Sequence, residues 1–386
     1  EPFASCLLAV GITSVWFAYG SRHWHVLRWP AAIAVDLLVL VTAAHLILSP
    51  AAPDARTSET PFLWIAFALP FLYLGSFGLR TVLRRRDVTS FEIVQTIAAL
   101  AIGLGGAAAV ERRDPQALAM LGGSALGIGA ICYALAFVFV ERQQGQGRNF
   151  SFYATLALGL TLAGAGLFGG GAALGLFWAA LAFATAFLAA RFGRLTLAVH
   201  SSFYCVAAAW RTGLLRVSWE AFAAPASSLF SPVTGPGLIT IGIAAAGYVL
   251  LARENGGAAA ATMRFPRSVL LSIVVAGGGA LVVGALRPLA GGAPPGSDSG
   301  GIAALRMAVL AGAALALASG RRWTTLPEFT GLVYAVLLLA TAKLLVEDLP
   351  HGRAATLFVG FLFYGLAFLA APRLLRSRSA VPEPSD

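Results

Sequence analysis

Residues 268–286 read SVLLSIVVAGGGALVVGAL, nineteen uncharged residues held between Arg267 and Arg287. As an α-helix this block rises about 28 Å, close to the hydrocarbon thickness of a bilayer. It carries no period-two alternation and no turn signal, so it reads as one helix crossing lipid. The same pattern, an apolar block closed by arginines, recurs along the chain. The blocks run approximately 4–20, 30–49, 61–79, 91–110, 116–140, 151–168, 172–190, 195–210, 236–252, 268–286, 302–319, 327–346 and 354–371. The expected fold is therefore all-α, a polytopic transmembrane helical bundle of about thirteen spans.

Composition excludes the alternatives. Apolar residues make up 58% of the 386 and charged residues only 11%, against about 25% charged in a soluble domain. Backbone groups in lipid must bond within their own segment or within a closed barrel. A barrel would show alternating strands of about ten residues, and none occur. The formal charge of +10 rests almost wholly on arginine, Lys343 being the single lysine. These arginines are scattered in small groups between apolar blocks rather than gathered on one tail or face, so no nucleic-acid partner is expected. The expected partners are membrane lipids and other membrane protein subunits. Cys6, Cys132 and Cys205 lie singly within apolar blocks, which argues against a disulfide framework or a zinc site.

The arginines also orient the chain. With the N-terminus outside, eighteen of them fall in inner segments and eight in outer ones, the excess that the positive-inside rule expects. An odd number of spans preserves this pattern and puts the C-terminus in the cytoplasm. The chain opens Glu1-Pro2, without methionine, so further residues are expected upstream. Helix starts are marked by Thr60-Pro61 and Asp114-Pro115, and by Thr89-Ser90-Phe91-Glu92 and Thr325-Leu326-Pro327-Glu328 as capping boxes.

Two connections are long. Residues 211–235 carry Leu215, Trp219 and Phe222 on one helical face and Arg216 with Glu220 on another, an amphipathic segment for the outer interface. Residues 287–301 are rich in Gly and Pro and read as a flexible linker. They separate a main bundle of about ten spans (1–286) from a C-terminal three-span unit (302–372), with a polar, disordered cytoplasmic tail at 373–386. Ser90-Phe91, Ser151-Phe152 and Ser202-Phe203 open three spans in a faint hairpin repeat. Gly123-x-x-x-Gly127 and Gly166-x-x-x-Gly170 are candidate close-packing ridges.

Ionisable residues within a span are costly in hydrocarbon, which makes each a functional candidate. Asp36 lies about two turns into the second block, and His45 falls on the opposite helical face. His200 and Tyr204 form a polar stripe beside Ser201 and Ser202. The densest cluster is Lys343, Glu347 and Asp348 near the end of the twelfth block, where Lys343 and Glu347 stand one helical turn apart. Asp36, His200, Lys343, Glu347 and Asp348 form the candidate intramembrane polar site.

This cluster also carries a likeness to a known family. Lys343-Leu344-Leu345-x-x-Asp348-Leu349 is followed by Arg353, then by a helix with Phe361, Tyr364 and Gly365 that ends Pro372-Arg373-Leu374-Leu375-Arg376. Over about 329–376 this resembles the terminal hairpin of large, many-span bacterial membrane proteins classed only as a domain of unknown function. The resemblance implies a bacterial inner (cytoplasmic) membrane and no particular activity.

Enzyme signatures are missing. There is no His-Glu-x-x-His, phosphate-binding Gly-x-x-x-x-Gly-Lys or Gly-x-Ser-x-Gly. Asp298-Ser299-Gly300-Gly301 sits in the expected linker and lacks the partners of a protease triad. No catalytic residue, metal site or cofactor is expected. The leading expectation is transport or flipping of a small or lipid-linked solute. Behind it stand an accessory subunit of a membrane complex and an enzyme acting on a lipid carrier.

Overall fold

The computed structural model describes residues 9–11, 13, 28–48, 56–78, 80–81, 87–112, 114–140, 147–223, 231–253, 262–290, 299–323, 326–351 and 354–376. Most of the expected first block, the 84–86 arginine group and the 377–386 tail lie outside these residues. Every regular element among the described residues is helical. Packing divides the chain into two compact units, Glu1–Gly169 and Gly170–Asp386.

In the first unit, α1 (Arg28–Leu48) and α2 (Arg56–Gly78) both pack on α3 (Ser90–Val110), and α4 (Pro115–Ala134) packs on α5 (Gly147–Leu167). The buried positions of α1, Ala32, Val35, Asp36, Val39 and Ala43, recur every three or four residues and form one stripe. Helix α3 starts at the expected capping box, with Thr89 accepting from Glu92 N–H and Glu92 reaching back to the Thr89 N–H. Asp114 caps α4 by accepting from the N–H groups of Gln116 and Ala117. Thr60-Pro61 does not start its helix, because α2 extends upstream to Arg56.

The α4–α5 contact corrects the expected glycine register. A Cβ on Gly122 would lie 2.7 Å from the Gly164 carbonyl, and one on Gly164 would lie 2.8 Å from the Gly122 carbonyl. Gly127 and Gly166 face open space instead. Apolar side chains gain little from leaving lipid for another helix, so close backbone approach at such small residues carries much of the association.

In the second unit, α6 (Ala172–Phe192) pairs with α7 (Leu195–Arg211) and with α9 (Gly235–Ala252), and α9 pairs with α10 (Arg264–Leu286). The buried face of α6 is Gly175, Ala179, Ala182, Ala186 and Ala189, small side chains at helical spacing, together with Trp178 and Thr185. The short α8 (Leu214–Phe222) lies against α10, while α11 (Ser299–Trp323) packs on α12 (Glu328–Lys343) and α13 (Ala354–Arg376). Arg287–Ala290 form a 3₁₀ turn, residues 291–298 lie outside the description, and 299–301 already belong to α11. Helix α13 continues through Arg373 to Arg376.

Helix α8 is amphipathic, as its sequence suggests, but rotated. Its buried face is Leu214, Val217, Ala221 and Phe222, while Trp219 is 67% exposed. Arg216 donates to Glu220 at 2.7 Å and the Ser231 N–H donates to the same carboxylate at 3.2 Å. Those two bonds hold the Glu220 carboxyl below the usual carboxylate range, the Arg216 bond contributing most.

Ten of these helices are long and apolar enough to cross a membrane by length and composition. Helix α7, with 17 residues, is not among them, and the apolar part of α2 is the shorter stretch Trp64–Gly78. The architecture is that of a multi-pass membrane protein.

Candidate functional site

Asp36 is buried where α1, α2 and α3 meet, 7% exposed. Gln95 Nε2 donates to its Oδ2 at 2.9 Å. Its Oδ1 is buried and has no hydrogen-bond partner. The Tyr73 hydroxyl of α2, also buried, lies beside the Gln95 side chain and within electrostatic reach of Asp36. Gln95 is therefore the residue that converts a lone carboxylate into a three-helix polar centre. It lies one turn beyond Glu92, on the same buried face of α3 as Thr96. His45 is exposed, as the opposite face of α1 requires.

A second polar layer surrounds the start of α3. Glu92 is almost fully buried and forms an ion pair with Arg80. Thr81 shares a hydrogen bond with Tyr153, and the fully buried Asn149 side chain accepts from the Val88 N–H at 2.7 Å. This last bond pins the beginnings of α3 and α5 at one level.

In the second unit, His200 is buried on α7. Beside it, Ser201 donates across to the Ala182 carbonyl of α6 at 2.8 Å, and Ser202 bonds back to Val199. The Lys343 ammonium donates to Asp348 Oδ1 at 2.6 Å, with the two side chains 3% and 8% exposed. A π-helical turn, Leu344–Asp348, follows α12, closed by the Leu349 N–H bonding to the Leu344 carbonyl. The wider turn brings the fifth residue, Asp348, onto Lys343. The Glu347 side chain lies outside the described residues.

Three further charges are buried in the second unit, at positions beside or near the start of an expected span. Arg267, 1% exposed, donates twice to the Leu251 carbonyl at the end of α9. Arg306, 2% exposed, donates to the Glu220 carbonyl at 2.9 Å. Glu328 is the first residue of α12 and does not cap it. Its carboxylate instead accepts from the Tyr248 hydroxyl at 3.4 Å, and its other oxygen has no partner.

Two cavities complete the picture. One of about 410 Å³ in the second unit is lined by Arg264, Ser268 and Glu328 among others. The other, of about 800 Å³, is an apolar groove in the first unit between α3 and α5. Neither is lined by Asp36, His200, Lys343 or Asp348. No three His, Cys, Asp or Glu side chains converge as metal ligands among the described residues. No known family model matches the chain, and neither a characterised protein nor a solved structure matches it.

Proposed function

We propose that the chain is an ion-coupled transporter of the bacterial inner membrane, moving a small or lipid-linked solute, with Asp36 as its coupling carboxyl. One observation carries this reading: a carboxylate oxygen of Asp36 is buried among the helices with no hydrogen-bond partner. An ionisable group within a span costs a few kcal/mol or more. Most purely structural carboxylates offset that cost by satisfying both oxygens. Here Gln95 holds one oxygen and leaves the other to accept a proton or a small cation. The fit of the group is to oxygen-seeking, weakly held cations, which a transporter must both take up and release.

In this reading the chain crosses thirteen times, with its N-terminus outside and the arginine-rich loops and C-terminus in the cytoplasm. The 287–301 segment separates the main bundle from the C-terminal three-span unit. Asp36 then lies about 12 Å from Arg28 along α1, well inside the hydrocarbon.

Infrared difference spectroscopy of the reconstituted protein tests the assignment. Titration with acid, and separately with sodium or potassium ions, is expected to change a carboxyl band that disappears in Asp36→Asn. Identical difference spectra for wild type and Asp36→Asn under all three titrants would overturn it.

A second reading draws on α13, the least buried of the ten helices at 17%, which exposes Phe358, Phe361, Leu366 and Phe368. Such a face suits an accessory subunit seated against another membrane chain. The buried, half-satisfied carboxyl ranks transport ahead of it.

A further inference from the structure

The apolar groove of the first unit is not used by the Asp36 centre. One stripe of its α5 wall is Arg148, Ser151, Thr155, Gly159, Ala163 and Leu167, spaced three or four residues apart, with the apolar Phe152, Leu156 and Leu160 beside it. The stripe grades from a cation through two hydroxyls to purely apolar groups. The opposite wall, on α3, begins at Ile93 and is apolar throughout, and the buried Ala125 of α4 lies between them. Gly105 and Gly159 both line the groove, and at each a Cβ would meet open space. The bond from the Val88 N–H to Asn149 sets the starts of both walls at the same end, so the groove has one polar end and one apolar end.

Arg148 is exposed at that polar end and pairs with no acidic side chain among the described residues. A guanidinium presents a planar fork of donors that matches a phosphate, and Ser and Thr hydroxyls extend the same donor surface. The distance along α5 from Arg148 to Gly159 is about 16 Å, close to half of a hydrocarbon core of about 30 Å. The volume of about 800 Å³ lies in the range of pockets that enclose whole small ligands. A lipid whose phosphate meets Arg148 would lay an acyl chain along the groove as far as the glycines within its own leaflet.

We infer that this groove is a binding site for an anionic phospholipid, with its headgroup on Arg148, Ser151 and Thr155 and one acyl chain between α3 and α5. The chain needs an unbroken apolar channel, and the headgroup needs an unpaired cation at the end where that channel meets water. Both are present on one helix face. The site stands independently of ion binding at Asp36.

Native mass spectrometry of the purified full chain tests it, using phosphatidylglycerol and phosphatidylcholine with identical acyl chains as probes. Wild type is expected to retain phosphatidylglycerol about fivefold better, the weight of one arginine near a membrane surface. Arg148→Gln should abolish that preference, Arg148→Lys should keep part of it, and Arg191→Gln, removing an exposed arginine elsewhere, should leave it intact. Gly159→Leu, which fills the groove, should lower retention of both lipids. Equal retention of the two lipids by wild type would overturn the proposal. So would an Arg191→Gln loss matching that of Arg148→Gln, or Gly159→Leu retaining lipid like wild type.

Discussion

Lys343→Met is expected to destabilise the folded protein by about 3–5 kcal/mol, the cost of stranding one half of a buried ion pair. The ammonium and the Asp348 carboxylate are 2.6 Å apart and almost wholly hidden. Removing the lysine leaves an acid with nowhere to send its charge. Replacing both partners, as Lys343→Met with Asp348→Leu, removes the charge and the desolvation cost together. Most of the stability should then return, because buried pairs are often replaceable by apolar groups of similar size. Unfolding midpoints of the four proteins in detergent micelles form a double-mutant cycle. A double variant as unstable as the worse single one would show that the two side chains do not act as a pair.

Gly164→Leu should cost about 1–3 kcal/mol or more, by forcing α4 and α5 apart. An added Cβ would meet the Gly122 carbonyl at 2.8 Å and the Leu126 nitrogen at 2.9 Å. These are backbone atoms, which cannot rotate away as a flexible side chain would. Gly127→Leu on the neighbouring helix is the matched control, since nothing lies within 4 Å of its Cβ position. Thermal unfolding should separate the two clearly. Equal losses at both positions would mean that the penalty comes from helix propensity or lipid exposure and not from this contact.

The helices themselves were legible because their cause is local. An apolar block of about twenty residues in lipid has no other way to satisfy its backbone, and Thr89 and Asp114 mark two helix starts by chemistry that needs only three neighbouring residues. The contacts were less legible because they depend on rotation about each axis. In α4, Gly123 and Gly127 fit a familiar spacing, yet the face turned to α5 runs through Gly122 and Gly129, two turns apart. In α8, the spacing groups Leu215 and Trp219 with Phe222, whereas packing on α10 buries Leu214, Val217 and Ala221 beside Phe222.

The same distinction runs through the candidate site. Asp36 stood out because a carboxylate in an apolar block has few structural excuses. Its partner Gln95 was visible only as a polar residue one turn into a helix start, and its neighbour Tyr73 gave no signal. Lys343 was legible, but its bond to Asp348 depends on a π turn that no spacing rule for α-helices anticipates. Arg267 flanks one expected span and Arg306 falls near the start of another, where each passes for an arginine that orients the chain. Their bonds run to the carbonyls of Leu251 and Glu220, backbone groups near helix ends, and backbone acceptors leave no mark in a sequence.

The depth assigned to Asp36 and its partners depends on α3 carrying the chain from one side of the bilayer to the other. Cysteines introduced singly at Asp87 and at Arg112, both exposed just beyond the ends of α3, test this with a membrane-impermeant maleimide on intact cells. Arg112→Cys should be labelled from outside, and Asp87→Cys only after the membrane is permeabilised. Labelling of both positions from the same side, or of Asp87→Cys alone in intact cells, would contradict the crossing and the buried coupling site with it.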